Sequence, residues 1–191
     1  MYDYNLLVSY GEGPYSTARS EALTLLKELG DPKPKVERTL ARGIIGVRTS
    51  LDPIDVVHGL RTLHDEKPQL FAFCLKWVPV QKWTLSDMES MKTAVEQLRG
   101  EIRQGETWRM TVEKRRYTLL HKDEIIKELA ALIDRKVNLE NYDKELRVDI
   151  LGKHAGLSVL RPGDIFSLAS PMGSAPITHG SPSGTPGKRE A

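Results

Sequence analysis

Cysteine is almost missing from this chain of 191 residues, because Cys74 is the only one. A single cysteine excludes an intramolecular disulfide and argues against a cysteine-based zinc site. Cys74 lies within an apolar run, "LFAFCL", which is typical of a small buried core residue. We therefore expect the chain to fold on its hydrophobic core, without a metal ion.

Long apolar runs are missing as well. No stretch approaches the roughly 18 apolar residues that a membrane-spanning helix needs. The N-terminal sequence lacks the basic start and the apolar segment of a secretory signal. Hydrophobic residues make up 39% of the chain and charged residues 28%, which is ordinary for a globular protein. These features predict a soluble, cytoplasmic protein with no membrane partner.

Catalytic signatures are scarce. Gly11 and Gly13 separate a strand-like segment from a helical one, but the third glycine of a phosphate-binding loop is missing, and Pro14 removes a donor N–H. The chain has no G-x-S-x-G turn for a nucleophile, and its five histidines follow no metal-ligand pattern. We expect a protein that is not an enzyme and that needs no cofactor.

The first 79 residues alternate between strand and helix patterns. Strand-like segments occupy residues 4–10, 35–40, 43–49 and 70–78. Segments with helical apolar spacing lie between the first and second strands and between the third and fourth. This order predicts a ferredoxin-like domain over residues 1–79, with a four-stranded antiparallel sheet and both helices on one face.

A second mixed unit is predicted over residues 80–167. Thr84 is the predicted N-cap of a helix whose apolar residues recur at steps of three and four as far as Ile102. The other predicted elements are a strand over 106–113, a helix over 122–137, and strands over 145–151 and 155–160. The predicted fold class is α+β, a ferredoxin-like unit followed by an α/β unit.

Large apolar residues almost disappear toward the end of the chain. Ser, Pro and Gly dominate the segment from Ser170 onward. Such a composition buries too little surface to offset the entropy of ordering the chain. We predict a disordered tail over residues 168–191.

Positive charge is concentrated in one stretch, although the net charge of the chain is only +2. Lys114, Arg115 and Arg116 follow one another at the end of a strand pattern, and Arg109 and Lys122 lie on either side. In a strand, Lys114 and Arg116 would share one face and Arg115 the other. The run fits two interpretations equally well: a charged sheet edge that prevents aggregation, and a nucleic-acid surface made by local clustering.

Two tryptophans, Trp77 and Trp83, flank Pro79 at the junction of the two units. Aromatic rings in such a position can stack on bases. Residues of this size more often pack a seam between units. We predict that both tryptophans pack a seam between the two units.

The stretch from "WRMTVEKRR" to "GLSVLRPGD" resembles the THUMP domain, an RNA-binding module of tRNA-modification systems. The resemblance rests on the strand that ends in Lys114–Arg116, the helix "IIKELAALI", the segment "VNLEN", the strand "LRVDIL" and the pair "GLSVLRP". It covers about residues 80–167, and a ferredoxin-like unit precedes THUMP in several family members. Tyr142 stands where the family commonly has a proline.

The resemblance implies a non-catalytic, tRNA-binding adaptor, most similar to stand-alone THUMP proteins that assist tRNA cytidine acetylation. Its partners would be tRNA, held by the acceptor stem and the 3′ end, and a tRNA acetyltransferase or another tRNA-modifying enzyme. Arginine forks and lysine ammonium groups suit phosphate oxygens. The candidate RNA-binding residues are Arg109, Lys114, Arg115, Arg116, Lys122 and Arg161.

Three alternatives remain open at this point. The chain can be a THUMP subunit of tRNA methylation, thiolation or pseudouridylation. It can be a protein-interaction module whose cations only keep it soluble, or an enzyme whose site is built across the two units.

Overall fold

The computed structural model describes residues 1–168, so the predicted tail lies almost entirely outside the described residues. The helices in this part are α1 (Tyr15–Glu28), α2 (Pro53–Glu66), α3 (Met88–Leu98) and α4 (Lys122–Ala130). The strands are β1 (Leu6–Tyr10), β2 (Lys35–Arg38), β3 (Ile44–Arg48), β4 (Cys74–Pro79), β5 (Lys82–Leu85), β6 (Trp108–Arg115), β7 (Lys144–Leu151), β8 (His154–Leu160) and β9 (Phe166–Ser167). This composition confirms the predicted α+β class.

The first sheet has the strand order β2-β3-β1-β4-β9, and all its pairs are antiparallel. Its first four strands and the helices α1 and α2 follow the predicted order of elements. Because side chains alternate along a strand, Leu6 and Val8 enter the core beneath the helices. Leu7 faces the opposite side of the sheet and belongs to a different cluster.

Local signals fix the start of α2. The carboxylate of Asp52 accepts hydrogen bonds from the backbone N–H groups of Ile54, at 2.8 Å, and Asp55, at 3.1 Å. Pro53 occupies the first helical position, where its missing N–H needs no partner. These residues satisfy donors that a helix start otherwise leaves open.

The second sheet has the strand order β5-β8-β7-β6, with β6 parallel to β7 and the other pairs antiparallel. The helices α3 and α4 cover one face, where Leu146, Val148 and Ile150 of β7 enter the core. Alternation along β7 therefore turns the intervening charged residues toward the opposite face, which meets the first sheet.

Two predicted helices have different limits in the structure. Thr84 is part of β5, paired with Ala155 of β8, and the N-cap of α3 is Asp87, which accepts a hydrogen bond from Ser90 N at 2.8 Å. The helix α4 ends at Ala130 instead of residue 137. Residues after it turn back toward β6, where Trp108 N donates to the carbonyl of Lys136.

The segment 161–168 returns to the first sheet, which the predicted division at residue 79 does not anticipate. Phe166 pairs with Trp77 of β4 and is 4% exposed in the core beneath α2. Arg61 of α2 donates hydrogen bonds to the carbonyls of Gly163, at 2.8 Å, and Ile165, at 3.2 Å. The first sheet is therefore completed by residues that follow the second one in the chain.

The two sheets face each other across a seam. At one end, a cluster of apolar side chains is buried between them, and it consists of Tyr4, Leu7, Ala41, Ile44, Val80 and Leu151. Trp83 packs against this cluster and donates from Nε1 to the carbonyl of Tyr4 at 2.7 Å. Trp77 is completely buried in the first core. The prediction of seam packing is therefore confirmed for Trp83, whereas Trp77 packs in the core of the first unit instead.

We expect Gly46→Ala to destabilise the protein by about 1–3 kcal/mol, the usual range for overpacking a well-packed core. A Cβ atom at Gly46 would lie only 2.3 Å from the ring of Tyr4, which is itself buried in the seam. Chemical denaturation measures the change. Gly100→Ala is the matched control, because a Cβ atom there meets nothing within 4 Å. Equal stability of the two variants would contradict the packing of Tyr4.

None of the helices within residues 1–168 is long and apolar enough to cross a membrane.

Candidate nucleic-acid interface

The six cations predicted to bind RNA lie in two separate places. Arg109 and Arg115 lie near opposite ends of β6, six residues apart. At about 3.3 Å per residue in a parallel strand, this spacing corresponds to roughly 20 Å. Lys114, Arg115, Arg116 and Lys122 are at one end, while Arg109 and Arg161 line a cleft at the other.

The run of three cations does not continue as a strand. The strand β6 ends at Arg115, and Arg116 has a φ of 55°, in the left-handed region that non-glycine residues seldom occupy. The chain turns there, so Arg116 no longer shares a strand face with Lys114. Gly152 N donates to the carbonyl of Arg115 at 3.0 Å, which places the turn between β7 and β8 beside Arg116.

Lys114 holds the loop that follows the strand. Its Nζ donates to the carbonyl of Leu120 at 2.5 Å and lies 5.7 Å from the centre of the Tyr117 ring. Tyr117 in turn donates from its hydroxyl to the carbonyl of Ser86 at 2.7 Å. The Lys114 ammonium is therefore engaged within the protein and has a structural role.

Arg115 faces the seam between the sheets. Its Nη1 lies 3.8 Å from Oδ1 of Asp149, whose carboxylate also accepts hydrogen bonds from Arg147 at 2.8 and 3.2 Å. Asp149 and Arg147 are both nearly inaccessible to solvent. A negative charge in place of Arg115 would stand beside the buried carboxylate of Asp149 and would be repelled by it. Arg115 therefore contributes to the stability of the fold as well as to the positive charge of the surface.

Three exposed cations remain around the loop 116–121, and we call them the strand-end surface: Arg116, Lys122 and Lys153. Within residues 1–168, their side chains make no hydrogen bond or ion pair. Lys153, in the turn between β7 and β8, was missed by the sequence reasoning, although the short polar turn "GKH" gave a signal. Leu119 of the same loop is 81% exposed. This end of the second sheet therefore presents uncommitted positive charge.

Arg109 is held rigidly at the other end of β6. Its guanidinium donates to Oε2 of Glu145 from Nη2 at 2.6 Å and from Nε at 3.0 Å. The same group lies over the ring of Tyr142, 3.9 Å from the ring centre, a cation–π contact. Tyr142 and Glu145 thus both contact the Arg109 guanidinium.

The charged residues of β7 form a paired row under the first sheet. Burial alone would raise the pKa of the Glu145 carboxyl, but the hydrogen bonds and charge of Arg109 hold that pKa below its ordinary value. Burial would lower the pKa of the Arg147 guanidinium, but Asp149 holds it above the ordinary value. Both residues therefore remain charged at neutral pH, and the row is stabilised by its own pairing.

The described residues offer little for metal or thiol chemistry. No group of three or more His, Cys, Asp or Glu side chains in residues 1–168 is arranged to hold a metal ion. Cys74 is buried, and burial raises the pKa of its thiol, so it is a core residue as predicted.

Comparisons with known proteins identify the second unit. Residues 86–160 match the family model of the THUMP domain. No curated protein matches the sequence of this chain.

Solved structures with a similar fold are longer than this chain. PH1313 from Pyrococcus horikoshii Ot3 is similar with a TM-score of 0.60 and 16% identity, over 82% of this chain and 54% of that one. TrmN from Thermus thermophilus gives 0.52 and 15%, over 81% and 44%. A 4-thiouridine synthetase, solved as an RNA complex with bound ATP, gives 0.51 and 20%, over 85% and 41%.

The present chain thus spans about half the length of these proteins. At these identities the similarity shows a shared fold, and the fold extends beyond the segment that the family model matches. Residues 86–160 of this chain form a THUMP domain.

Proposed function

We propose that this chain is a non-catalytic adaptor that binds tRNA by its acceptor stem and 3′ end and presents it to a separate enzyme, a tRNA cytidine acetyltransferase. The observation that supports RNA binding is a THUMP domain whose strand-end surface carries uncommitted cations. The similarity in fold to a 4-thiouridine synthetase solved with RNA points in the same direction.

Phosphate oxygens are the ligands that this surface suits. Arg116 offers a planar fork that can engage two oxygens, and Lys122 and Lys153 add point charges. The three residues flank one loop, so a single strand of RNA can reach them together. Binding through phosphates releases counterions, which makes the affinity strongly dependent on salt.

We expect the affinity for tRNA to fall steeply as the salt concentration rises. Contact with three or four phosphates predicts a slope of about −3 in a plot of log affinity against log salt concentration. Fluorescence anisotropy with labelled tRNA at four or five salt concentrations measures the slope. A tRNA that lacks its single-stranded 3′ end should bind more weakly than the intact molecule.

A flat response to salt would refute phosphate-based binding. Equal affinity for the intact and shortened tRNA would refute recognition of the 3′ end. Loss of all tRNA binding even at low salt would support the alternative of a protein-interaction module.

The adaptor role predicts no modification by the protein alone and faster modification by its partner. Purified chain with tRNA and acetyl-CoA should give no product. Adding it to a tRNA acetyltransferase should raise the rate mainly at low tRNA concentration, because holding the tRNA raises its effective concentration at the enzyme. Counting acetylated cytidines by mass spectrometry measures both results.

Parallel reactions test the other modification systems. A methyltransferase with S-adenosylmethionine, a thiouridine synthetase and a pseudouridine synthase replace the acetyltransferase in otherwise identical mixtures. Stimulation of one of these, and not of acetylation, would move the proposal to that system. Product formed by this chain alone would overturn the adaptor role.

A further inference from the structure

A cleft of about 490 Å³ opens between the two sheets, beyond the apolar end of the seam. Lys76 of β4 lines it from the first sheet, and Arg109 and Arg147 line it from the second. Arg161 and the residues after it, from the segment that returns to the first sheet, form its remaining wall. The volume is within the range of small-ligand sites, and neither unit forms this cleft alone.

Positive charge exceeds negative charge in this cleft. Its charged lining comprises four cations and two carboxylates: Lys76, Arg109, Arg147 and Arg161 against Glu113 and Glu145. Asp149, which lies outside the lining but pairs with Arg147, reduces this excess to one cation. Such an arrangement focuses a positive potential between low-dielectric walls.

Part of this charge is already neutralised within β6 and β7. Glu145 accepts two hydrogen bonds from Arg109, and Arg147 donates two to Asp149. Lys76 and Arg161 are different, because within residues 1–168 no side-chain hydrogen bond or ion pair engages either charged group. Glu113, on β6 of the second sheet, forms no ion pair with Lys76 within 4 Å.

Lys76 is the most informative of these residues, because partly burying its charged ammonium has a cost in free energy. It is half-buried on β4, an inner strand of the first sheet, where an ammonium with three donors is partly removed from water. Burial, and next the charge of Arg147, lower its pKa, against the opposing effect of the nearby carboxylates. A ligand with negative charge and acceptor oxygens would compensate for this desolvation by accepting hydrogen bonds from the ammonium.

We propose that this cleft binds a phosphate group, with Lys76 and Arg161 as its cationic ligands. Phosphate carries several acceptor oxygens and no obligatory donor, which fits an ammonium and a guanidinium on two walls of one cleft. The phosphate can belong to a free phosphorylated molecule or to an RNA strand. If the phosphate belongs to RNA, the inference rests on the proposed function; if it belongs to a free small molecule, it does not.

Lys76→Met in the full chain tests the site, because it keeps the length of the side chain and removes the charge. Inorganic phosphate, adenosine monophosphate and tRNA are titrated separately at constant ionic strength. Thermal midpoints report binding of the two small ligands, and anisotropy reports binding of tRNA. We expect the dissociation constant of at least one phosphorylated probe to rise tenfold or more in Lys76→Met.

Two further variants keep the test decisive. Arg161→Gln changes an exposed side chain, so it should fold normally and should weaken the same probe. Lys35→Met is the matched control, because Lys35 is an exposed lysine on the outer strand β2, and it should leave every affinity unchanged. Nuclear magnetic resonance of the lysine side chains should show a rise in the pKa of Lys76 when the probe binds.

The pattern of results identifies the source of the phosphate. Effects confined to inorganic phosphate and adenosine monophosphate assign a free phosphorylated ligand, and an effect on tRNA assigns an RNA phosphate. Unchanged affinities for all three probes in both Lys76→Met and Arg161→Gln overturn the proposal. That outcome leaves tRNA binding at the strand-end surface untouched, so the two ideas fail separately.

Discussion

Reversing two charges of the strand-end surface, in the double variant Arg116→Glu with Lys122→Glu, should weaken tRNA binding by at least about a hundredfold at low salt. Each lost charge-assisted hydrogen bond costs about 1.5–3 kcal/mol, and about 1.4 kcal/mol corresponds to a tenfold change in affinity. The slope of log affinity against log salt should also become shallower, by about 0.7–0.9 for each lost phosphate contact. Anisotropy titrations at several salt concentrations measure both quantities.

The fold of this double variant should be intact, because both side chains are exposed and make no ion pair within residues 1–168. Exposed substitutions of this kind usually change stability by about 0.5 kcal/mol or less. Lys33→Glu with Lys35→Glu, on the opposite unit, makes the same change in net charge and should bind tRNA normally. If this control loses as much affinity, binding depends on overall charge and the surface has no special role. Arg115→Glu is a poorer probe, because Arg115 approaches the buried Asp149.

Among single substitutions, the largest loss of stability is expected from Phe166→Ala, about 3–5 kcal/mol, the usual cost of removing a buried aromatic side chain. Phe166 is 4% exposed, and its ring centre lies 5.5 Å from that of Phe71 and 6.1 Å from that of His64. The variant leaves a cavity in the core of the first unit, although the residue follows the second unit in the chain. Chemical denaturation monitored by tryptophan fluorescence measures the loss.

Two shortened chains distinguish the contribution of the segment 161–168 to stability from that of the tail. A chain that ends at Leu160 lacks β9 and the contacts of Arg61, and it should lose at least as much stability as Phe166→Ala. A chain that ends at Ser170 keeps them and should unfold at nearly the normal midpoint, because its missing tail has little apolar surface to bury. Equal midpoints for the two shortened chains would refute the role of β9.

The sequence predicted those elements whose apolar pattern is long and regular. The first four strands and two helices of the first unit have such patterns, and their order is correct. Strand β5 has four residues, and Leu85 at its end fits the helical spacing that follows, so the pattern predicts a helix start where the structure has a strand. Strand β9 has two residues, which is too short for a period to be visible, and its pairing with β4 depends on contacts far apart in the chain.

Which partner each cation contacts depends on the register of the sheet, and the sequence does not reveal that register. Arg109 and Glu145 become neighbours because β6 and β7 pair in parallel with these residues opposite each other. Arg115 reaches Asp149 through the same pairing. The run of three cations was correctly located near the end of a strand, but the structural roles of Lys114 and Arg115, and the exposed position of Lys153, appear only once the strands are aligned.

The pairing of β9 with β4 also determines when the first sheet can be completed during synthesis. As the chain leaves the ribosome, the first 79 residues can form their helices and four strands, but β4 remains an open sheet edge until Phe166 has been synthesised. An unpaired edge offers its backbone groups to any other strand, and the core beneath it lacks one aromatic side chain in that interval. The first sheet can therefore be completed only after every strand of the THUMP domain has been synthesised.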